Sequence, residues 1–332
     1  MGFKNYSFIV VTLLFLILFS CQTHTPLNRF RINGQAQGTT YSITYFSENQ
    51  KVNKRSIDSL LKNFDLVFST YIDHSIISKI NSNTTEKVTD HHFIDLFKLS
   101  KHLHQITNGY FDPTVGTIVN FYGFGSKKVD SLVKIDSLKK FVGFDNITQD
   151  QDGSIKKKYK QIYLDFNAIA QGYSVDLVTS FLCDKGISDA IVEIGGEIYA
   201  FGINQNKQMP WRVGIDHPLE STNNHRVLYQ TLNLKNKALA TSGNYRKIKK
   251  DTLTGENYVH TINPLTKSSK KSDILSAVVI ASTCAQADAY ATAFMAMGLD
   301  ESIKLLEQLP SLKVILLYTD DNAQLKAFKK GM

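Results

Sequence analysis

The stretch ASTCAQADAYATAF, residues 281–294, sets one carboxylate, Asp288, in a run of alanines with Thr292 four places on. Alanine is the best helix former and buries no polar group, so the run predicts a helix packed closely against a neighbour. Thr283-x-x-Gln286 fits a capping box that starts this helix just before Cys284. Asp288, Ala291 and Thr292 then stack on one face, at i, i+3 and i+4, near the positive end. Two hard oxygen ligands on a small-residue surface suit Mg²⁺, which takes few protein ligands, several waters and a substrate phosphate. The same pair also reads as a satisfied polar contact between two helices.

Four other segments combine glycine with polar groups in an apolar setting. In DFNAIAQGYSVD, Asp165 and Asn167 precede a predicted helix whose first turns carry Ala168, Ala170 and Gly172. Small residues there admit a ligand to the backbone, and the free amides of a helix start attract anions. Gly195-Gly196 in VEIGGEI marks a bend or a close backbone approach. ATSGNY supplies a small-residue loop at Thr241, Ser242 and Gly243, and YVHTINPLT sets His260 and Asn263 around a strand end. Each segment alone reads equally well as a turn, a cap or a satisfied histidine. GxxxxGK[ST], HExxH, GxSxG and paired CxxC are all missing, which sets aside P-loop, zincin, esterase and thiol-redox chemistry. Together with the Asp288 helix, the segments suggest one long groove for an extended anionic ligand of dinucleotide size. With no GxGxxG, that site is non-Rossmann.

The elements that must position these groups follow from periodicity. GTTYSITYFS (38–47) alternates as a strand, and SIDSLLKNFDLVFSTY (56–71) has helical spacing. A further helix is predicted from about Thr89 to Thr107, stopped by Asn108-Gly109. The aromatic, glycine-rich segment 109–125 is too apolar for a surface linker and too rich in glycine for a regular helix. Residues 126–160 are lysine-rich, with short elements and a subdomain boundary near 125–160. IYLDFNAIAQGYSVDLVTSFLCDKG (162–186) reads as strand, turn and helix. WRVGIDHP, HRVLYQTLNL, KALATSGNY, LSAVVIAS and VILLYT read as further strands. The expected class is mixed α+β, with antiparallel or mixed sheets of hairpins and meanders flanked by helices.

The 332 residues are 42% hydrophobic and 11% aromatic, enough for a large core. A net charge of +8 from 38 basic and 30 acidic residues carries no nucleic-acid signature, so no nucleic-acid partner is expected. At the N-terminus, Lys4 precedes an apolar run from Phe8 to Phe19, too short for an ordinary span and proportioned like a signal peptide. Leu18-Phe19-Ser20-Cys21 resembles a lipoprotein box. Residues 1–20 are then a signal peptide, Cys21 carries the lipid, 21–32 form a tether, and 33–332 form the folded domain. Cys183 and Cys284 remain, both expected to be buried free thiols.

Taken together, these segments resemble the ApbE family of flavin transferases, which move FMN from FAD onto a threonine of a partner protein. The likeness begins at GQAQGTTYSITY and continues past Ala291-Thr292, nearly all of the mature chain. FSTYIDHSIISKIN (68–81) resembles the family's serine-rich motif, with Ile76 where an acidic residue is common. GYFDPTVG (109–116) resembles the segment lining the flavin site, and FYGFG (121–125) its aromatic continuation. LDFNAIAQGYSVD resembles the family's most recognisable block, with Gln171 where lysine is common; lower substrate affinity is expected from this, not lost activity. IGGEIYAFG, ATSGNY, VHTINPLT and ADAYATAF follow in the family's order.

The resemblance implies an ApbE-like fold and assigns roles. Tyr110, Phe111, Asp112, Tyr122, Gly123, Asp165, Asn167, Ala168, Gln171, Gly195, Gly196, Thr241, Ser242, Gly243 and His260 become candidates for holding FAD. Asp288 and Thr292 become Mg²⁺ ligands through their side chains and Ala168 through its carbonyl. His260 and Asp288 become the catalytic candidates, with His260 either a base or a phosphate binder. Asn263 and Thr266 stand where aspartate and threonine are usual, and Lys267 replaces a common glycine. The implied activity is Mg²⁺-dependent transfer of FMN to a threonine hydroxyl with release of AMP. FAD hydrolysis and non-catalytic flavin binding are the alternatives. The implied partners are FAD, a threonine-containing acceptor domain of a membrane redox complex, and a lipid membrane reached through Cys21. The implied location is a bacterial lipoprotein facing the periplasm, on the inner membrane.

Overall fold

The run ILSAVVIA, Ile274–Ala281, is buried at every position, as an unbroken apolar run requires of a strand covered on both faces. The computed structural model describes residues 26–130, 132–220, 225–243, 248–250, 257–269 and 272–332. The signal peptide and Cys21 lie outside the described residues. In chain order, β1 (Asn28–Ala36) and β2 (Thr39–Ser47) form a hairpin. Helices α1 (Lys54–Phe68), α2 (Ile76–Asn81), α3 (His91–Ile106), α4 (Gly116–Phe121) and α5 (Ile135–Leu138) follow. The small pair β3 (Ile147–Gln149) and β4 (Ile155–Lys157) precedes the long helix α6 (Asn167–Asp184). Next come β5 (Asp189–Ile194), β6 (Glu197–Phe201), β7 (Trp211–Asp216), β8 (Leu228–Leu234) and β9 (Lys237–Gly243). Then come β10 (Ile248–Lys250), β11 (Asn257–Val259) and β12 (Ile274–Ala281). Helices α7 (Cys284–Met297) and α8 (Leu299–Glu307) lead to β13 (Lys313–Thr319) and β14 (Leu325–Lys330).

Eight strands make one sheet in the order β1-β2-β5-β6-β9-β12-β13-β14. Every neighbouring pair is antiparallel. This is the α+β architecture predicted, with no parallel crossover of the Rossmann kind. Successive side chains of a strand point to opposite faces. On β12, Ala277, Val279 and Ala281 join the main core under the helices. Val278 and Ile280 join a second core, closed by Trp211, Val213, Ile215 and Leu234 of the separate β7–β8 hairpin. From the lysine-rich 126–160 stretch, Phe144, Ile147 and Ile155 are buried in the main core.

Several expectations change. The segment read as strand IYLDF pairs with no strand; it is extended chain whose polar groups are met by side chains. Segment 109–125 does contain a short helix, α4, because Gly116 sits where a Cβ would lie 2.7 Å from Tyr163 and 3.0 Å from Asp165. Cys284 is buried but Cys183 is exposed, and neither forms a disulfide. Thr283 caps α7, accepting the Gln286 amide at 3.3 Å, as the capping box predicts. The return arm is absent: Gln286 Oε1 accepts from the Ser282 hydroxyl at 2.8 Å instead.

Helices α6 and α7 pack against each other through the smallest residues in both. A Cβ on Gly172 would stand 2.3 Å from the Cys284 carbonyl oxygen and 2.9 Å from the Ala285 nitrogen, both main-chain atoms that cannot swing aside. Gly172→Ala is therefore expected to force the helices apart and lower stability by about 2–3 kcal/mol, read as a fall in the urea midpoint. An unchanged midpoint would show that the helices separate freely.

Candidate active site

The α6–α7 contact sets Asp288 against α6, while Thr292 meets β9. Asp288 projects from α7, buried, and its Oδ2 accepts the Gly172 amide of α6 at 3.0 Å. In a regular helix that amide faces the carbonyl four residues earlier, which is Ala168. Helix geometry therefore points the Ala168 carbonyl toward the Gly172 amide that Asp288 accepts. Thr292 lies one turn beyond Asp288, and its Oγ1 is 3.3 Å from Ser242 Oγ of β9. Strand pleating decides that partner. Ala238 and Ala240 face the main core, so Ser242 shares their face, while Thr241 and Gly243 lie on the alternate positions.

Burial pushes the Asp288 carboxyl up to about 7, with the nearby Asp176 carboxylate adding to the rise and the Gly172 amide opposing it. Asp176 was not singled out from sequence, although it follows Gly172 by one helical turn. Its two oxygens accept the Cys284 and Ala285 amides at 2.8 and 2.9 Å, so it caps the start of α7 from the neighbouring helix. Burial raises it to about 6, against the pull of those two amides.

Among the described residues no cation pairs with Asp288, and no group of three or more His, Cys, Asp or Glu side chains converges. A buried carboxylate beside hydroxyls and a carbonyl, all hard oxygen donors, fits Mg²⁺ and not a zinc or iron site. The residues that would hold it are Asp288, Thr292 and the Ala168 carbonyl, with the Ser242 hydroxyl alongside.

The other candidates are held by contacts of their own. Asp165 is buried, which raises its pKa; its Oδ1 accepts the Asn167 amide at 2.9 Å and its own amide donates to the Pro113 carbonyl at 2.8 Å. Gln171 Nε2 donates to the Ile194 carbonyl at 3.0 Å and lies over Gly195, where a Cβ would be 1.5 Å away. Gly195 and Gly196, at φ 64° and 112°, make the two-residue turn between β5 and β6. Phe111 is a core side chain, and Tyr110 packs half-buried against the same core. The buried Asp112 carboxylate accepts the Thr114 hydroxyl and amide at 2.6 and 2.8 Å and the Phe144 amide at 3.0 Å. Phe111 and Asp112 thus build the wall and do not face the groove.

Tyr122 packs against Tyr258 with ring centroids 4.6 Å apart in a tilted pair, and the half-buried His260 meets the Phe124 ring edge-on at 6.4 Å. Gly123 between them is exposed, at φ 70°. The His260 turn is tied to the metal helix: Asn263 Nδ2 donates at 2.9 Å to the carbonyl of Ala296, one turn past Thr292. Asn263 Oδ1 accepts the Leu265 and Thr266 amides at 2.9 and 3.1 Å. Tyr71, also missed from sequence, is an exposed aromatic whose hydroxyl is raised by burial and by the Asp165 and Tyr163 charges nearby.

An antiparallel sheet carrying an oxygen-lined helix contact, with aromatic walls and no dinucleotide-binding crossover, defines a non-Rossmann α+β enzyme class. The chain belongs to the ApbE family, whose profile matches residues 37–316. It is 30% identical over 318 aligned residues to the FAD:protein FMN transferase of Vibrio cholerae, covering 92% of each chain. It is 30% identical over a 346-residue alignment to that of Haemophilus influenzae, covering 98% of each. The solved structure of the flavin transferase ApbE from Vibrio cholerae superposes with a TM-score of 0.78 at 28% identity, over 92% of this chain and 98% of that one. The ApbE protein from Thermotoga maritima gives 0.76 at 25% identity, over 90% and 96%.

Two outcomes follow from the site's electrostatics. With a folded-state value near 7 against an ordinary 3.8, the metal-free protein carries a penalty that is full above pH 7 and relieved as pH falls toward 4. Asp288→Asn is expected to stabilise the metal-free protein at pH 8 by about 1–3 kcal/mol, with the gain vanishing near pH 4. Thermal melts across pH, with and without Mg²⁺, check this; added Mg²⁺ should stabilise the wild type alone. Lys267 holds φ 55°, a left-handed conformation in its turn. Lys267→Gly should raise stability by up to about 1 kcal/mol, and a drop in thermal midpoint would contradict the strain.

Proposed function

We propose that the chain is an FAD:protein FMN transferase that uses Mg²⁺, moves FMN onto a threonine hydroxyl of an acceptor protein and releases AMP. The observation that carries this reading is the buried Asp288 carboxylate on an α6 amide, with Thr292 one turn on beside the Ser242 hydroxyl. Simple flavin binding calls for no such cluster of hard oxygens. The names of the relatives support the flavin donor and the protein acceptor. When bound, Mg²⁺ would neutralise charge on the pyrophosphate oxygens and on the departing AMP oxygen.

The chain's own residues supply the rest. Amides at the start of α6 and polar groups at the end of β9 hold the phosphates. Tyr122, Phe124 and Tyr71 offer rings to the flavin or adenine. The threonine oxygen forms a bond to the FMN phosphorus as the bond from that phosphorus to the AMP oxygen breaks. The hydroxyl proton must leave during this exchange, and His260 is assigned to receive it, because an imidazole titrates near neutrality. Fixed positioning and electrostatics of this kind account for most of the acceleration in phosphoryl transfer.

Lipidation at Cys21 belongs to the same proposal, in a bacterial lipoprotein facing the periplasm from the inner membrane. Among the described residues no helix is long and apolar enough to cross a membrane. Confining enzyme and acceptor to one surface raises their effective concentration.

The test is mass spectrometry of a threonine-containing acceptor domain after incubation with the purified chain, FAD and Mg²⁺, with AMP followed in parallel. An FMN-sized mass gain that disappears without Mg²⁺ and in Asp288→Ala is the expected result. AMP and free FMN with no labelled acceptor would point to hydrolysis. Bound FAD with neither product would reduce the protein to a flavin carrier.

A further inference from the structure

The extended segment 162–165 runs without a strand partner among the described residues, and its polar backbone is completed by side chains from elsewhere. Leu164 is fully buried. Its amide donates to Asn81 Oδ1 at 2.7 Å, and its carbonyl accepts from Asn81 Nδ2 at 2.8 Å. One carboxamide, at the last residue of α2, thus replaces the pair of bonds that a neighbouring strand would make. Without it, the N–H and C=O of a fully buried residue would lose their protein partners.

Lys157 works beside it. Its ammonium donates to the carbonyls of Ile80, Ile162 and Lys160 at 2.9, 3.1 and 3.3 Å, tying the end of α2 to the same segment. Among the described residues no carboxylate pairs with this half-buried group, and burial lowers its pKa to about 8.

What the clamp holds is the approach to the site. The residue after Leu164 is Asp165, bonded to Pro113 of the aromatic wall and to Asn167 at the start of α6. The residue before it is Tyr163, whose hydroxyl lies 2.9 Å from Ser126 Oγ and whose ring packs against Gly116. A shift at Leu164 moves both the aromatic wall and the first turn of α6, which carries the Ala168 carbonyl.

We infer that Asn81 is a positioning residue for the donor-substrate site, setting the start of α6 against Asp288 through the Leu164 backbone. This rests on the proposed reading that FAD is the substrate. A group acting only on stability lowers the folded fraction and leaves the affinity of the remainder unchanged. A positioning group changes affinity in the folded protein, since small displacements at a site carry large penalties.

The experiment compares the full chain with Asn81→Leu, Asn81→Asp and Asn83→Ala. The Asn83 side chain donates to the Lys160 carbonyl at 3.2 Å on the exposed side, and its backbone amide donates to the Ile80 carbonyl. FAD affinity is read by flavin fluorescence with and without Mg²⁺, and KM for FAD and kcat are read from AMP release, each normalised to the FAD-binding fraction. Asn81→Leu is expected to weaken FAD binding and raise KM at least about tenfold, while Asn83→Ala stays at wild type. Asn81→Asp keeps the acceptor for the Leu164 amide but opposes the carbonyl with charge. It should raise KM likewise, and it carries the test if Asn81→Leu does not fold. Wild-type FAD affinity and KM in the folded fraction of either Asn81 variant overturn the inference. If the wild type binds FAD but releases no AMP, the enzymatic reading fails while the affinity comparison still decides the role of Asn81.

Discussion

The contact between Gly172 and Asp288 is the constraint on which the rest of the site depends. A main-chain amide of α6 donates to a carboxylate of α7 only because the Cys284 carbonyl lies where any side chain on residue 172 would be. That closeness needs glycine on one helix and alanines on the other, which explains why both are so poor in large side chains along the seam. It also keeps water from the carboxylate, so the energetics of the site follow from the packing.

The two buried carboxylates of this seam meet different fates. Asp176 lies on the positive end of α7, where two amides point at it, and it serves as a cap. Asp288 lies a turn further in, accepts one amide and has no cation among the described residues. Its charged form is therefore costly in the protein alone, and the proposed divalent ion would compensate it. Stability is given up locally where binding is needed, a pattern common at functional sites.

Around this point the chain uses neutral amides where a charge or a free helix end would otherwise stand. Gln171 is held by the Ile194 carbonyl over the β5–β6 turn. Asn263 links the His260 turn to the last turn of α7, accepting two amides and donating to one carbonyl with a single side chain. An aspartate at either position could not donate. These amides tie α6 to β5 and the His260 turn to α7 with directional bonds and little desolvation cost.

Local residue order was enough to establish the helix at Cys284–Met297, its Thr283 cap, the shared face of Asp288 and Thr292, and most strands of the antiparallel sheet. Those features depend on periods of 3.6 and 2 and on neighbours within one turn, which a sequence carries in full. The tertiary structure alone decided which of Thr241, Ser242 and Gly243 faces Thr292, because that is set by a register between distant strands. It turned the apparent strand at Ile162 into clamped extended chain, since no sheet edge reaches it and Asn81, 83 residues earlier in the chain, does. It took Phe111 into the core and Asp112 into a cap, and it revealed Asp176 as the bridge between helices. The Asp112 cap on Thr114 is local, but the partners from other elements are more than 25 residues away, and one-dimensional spacing holds no record of which distant partner arrives.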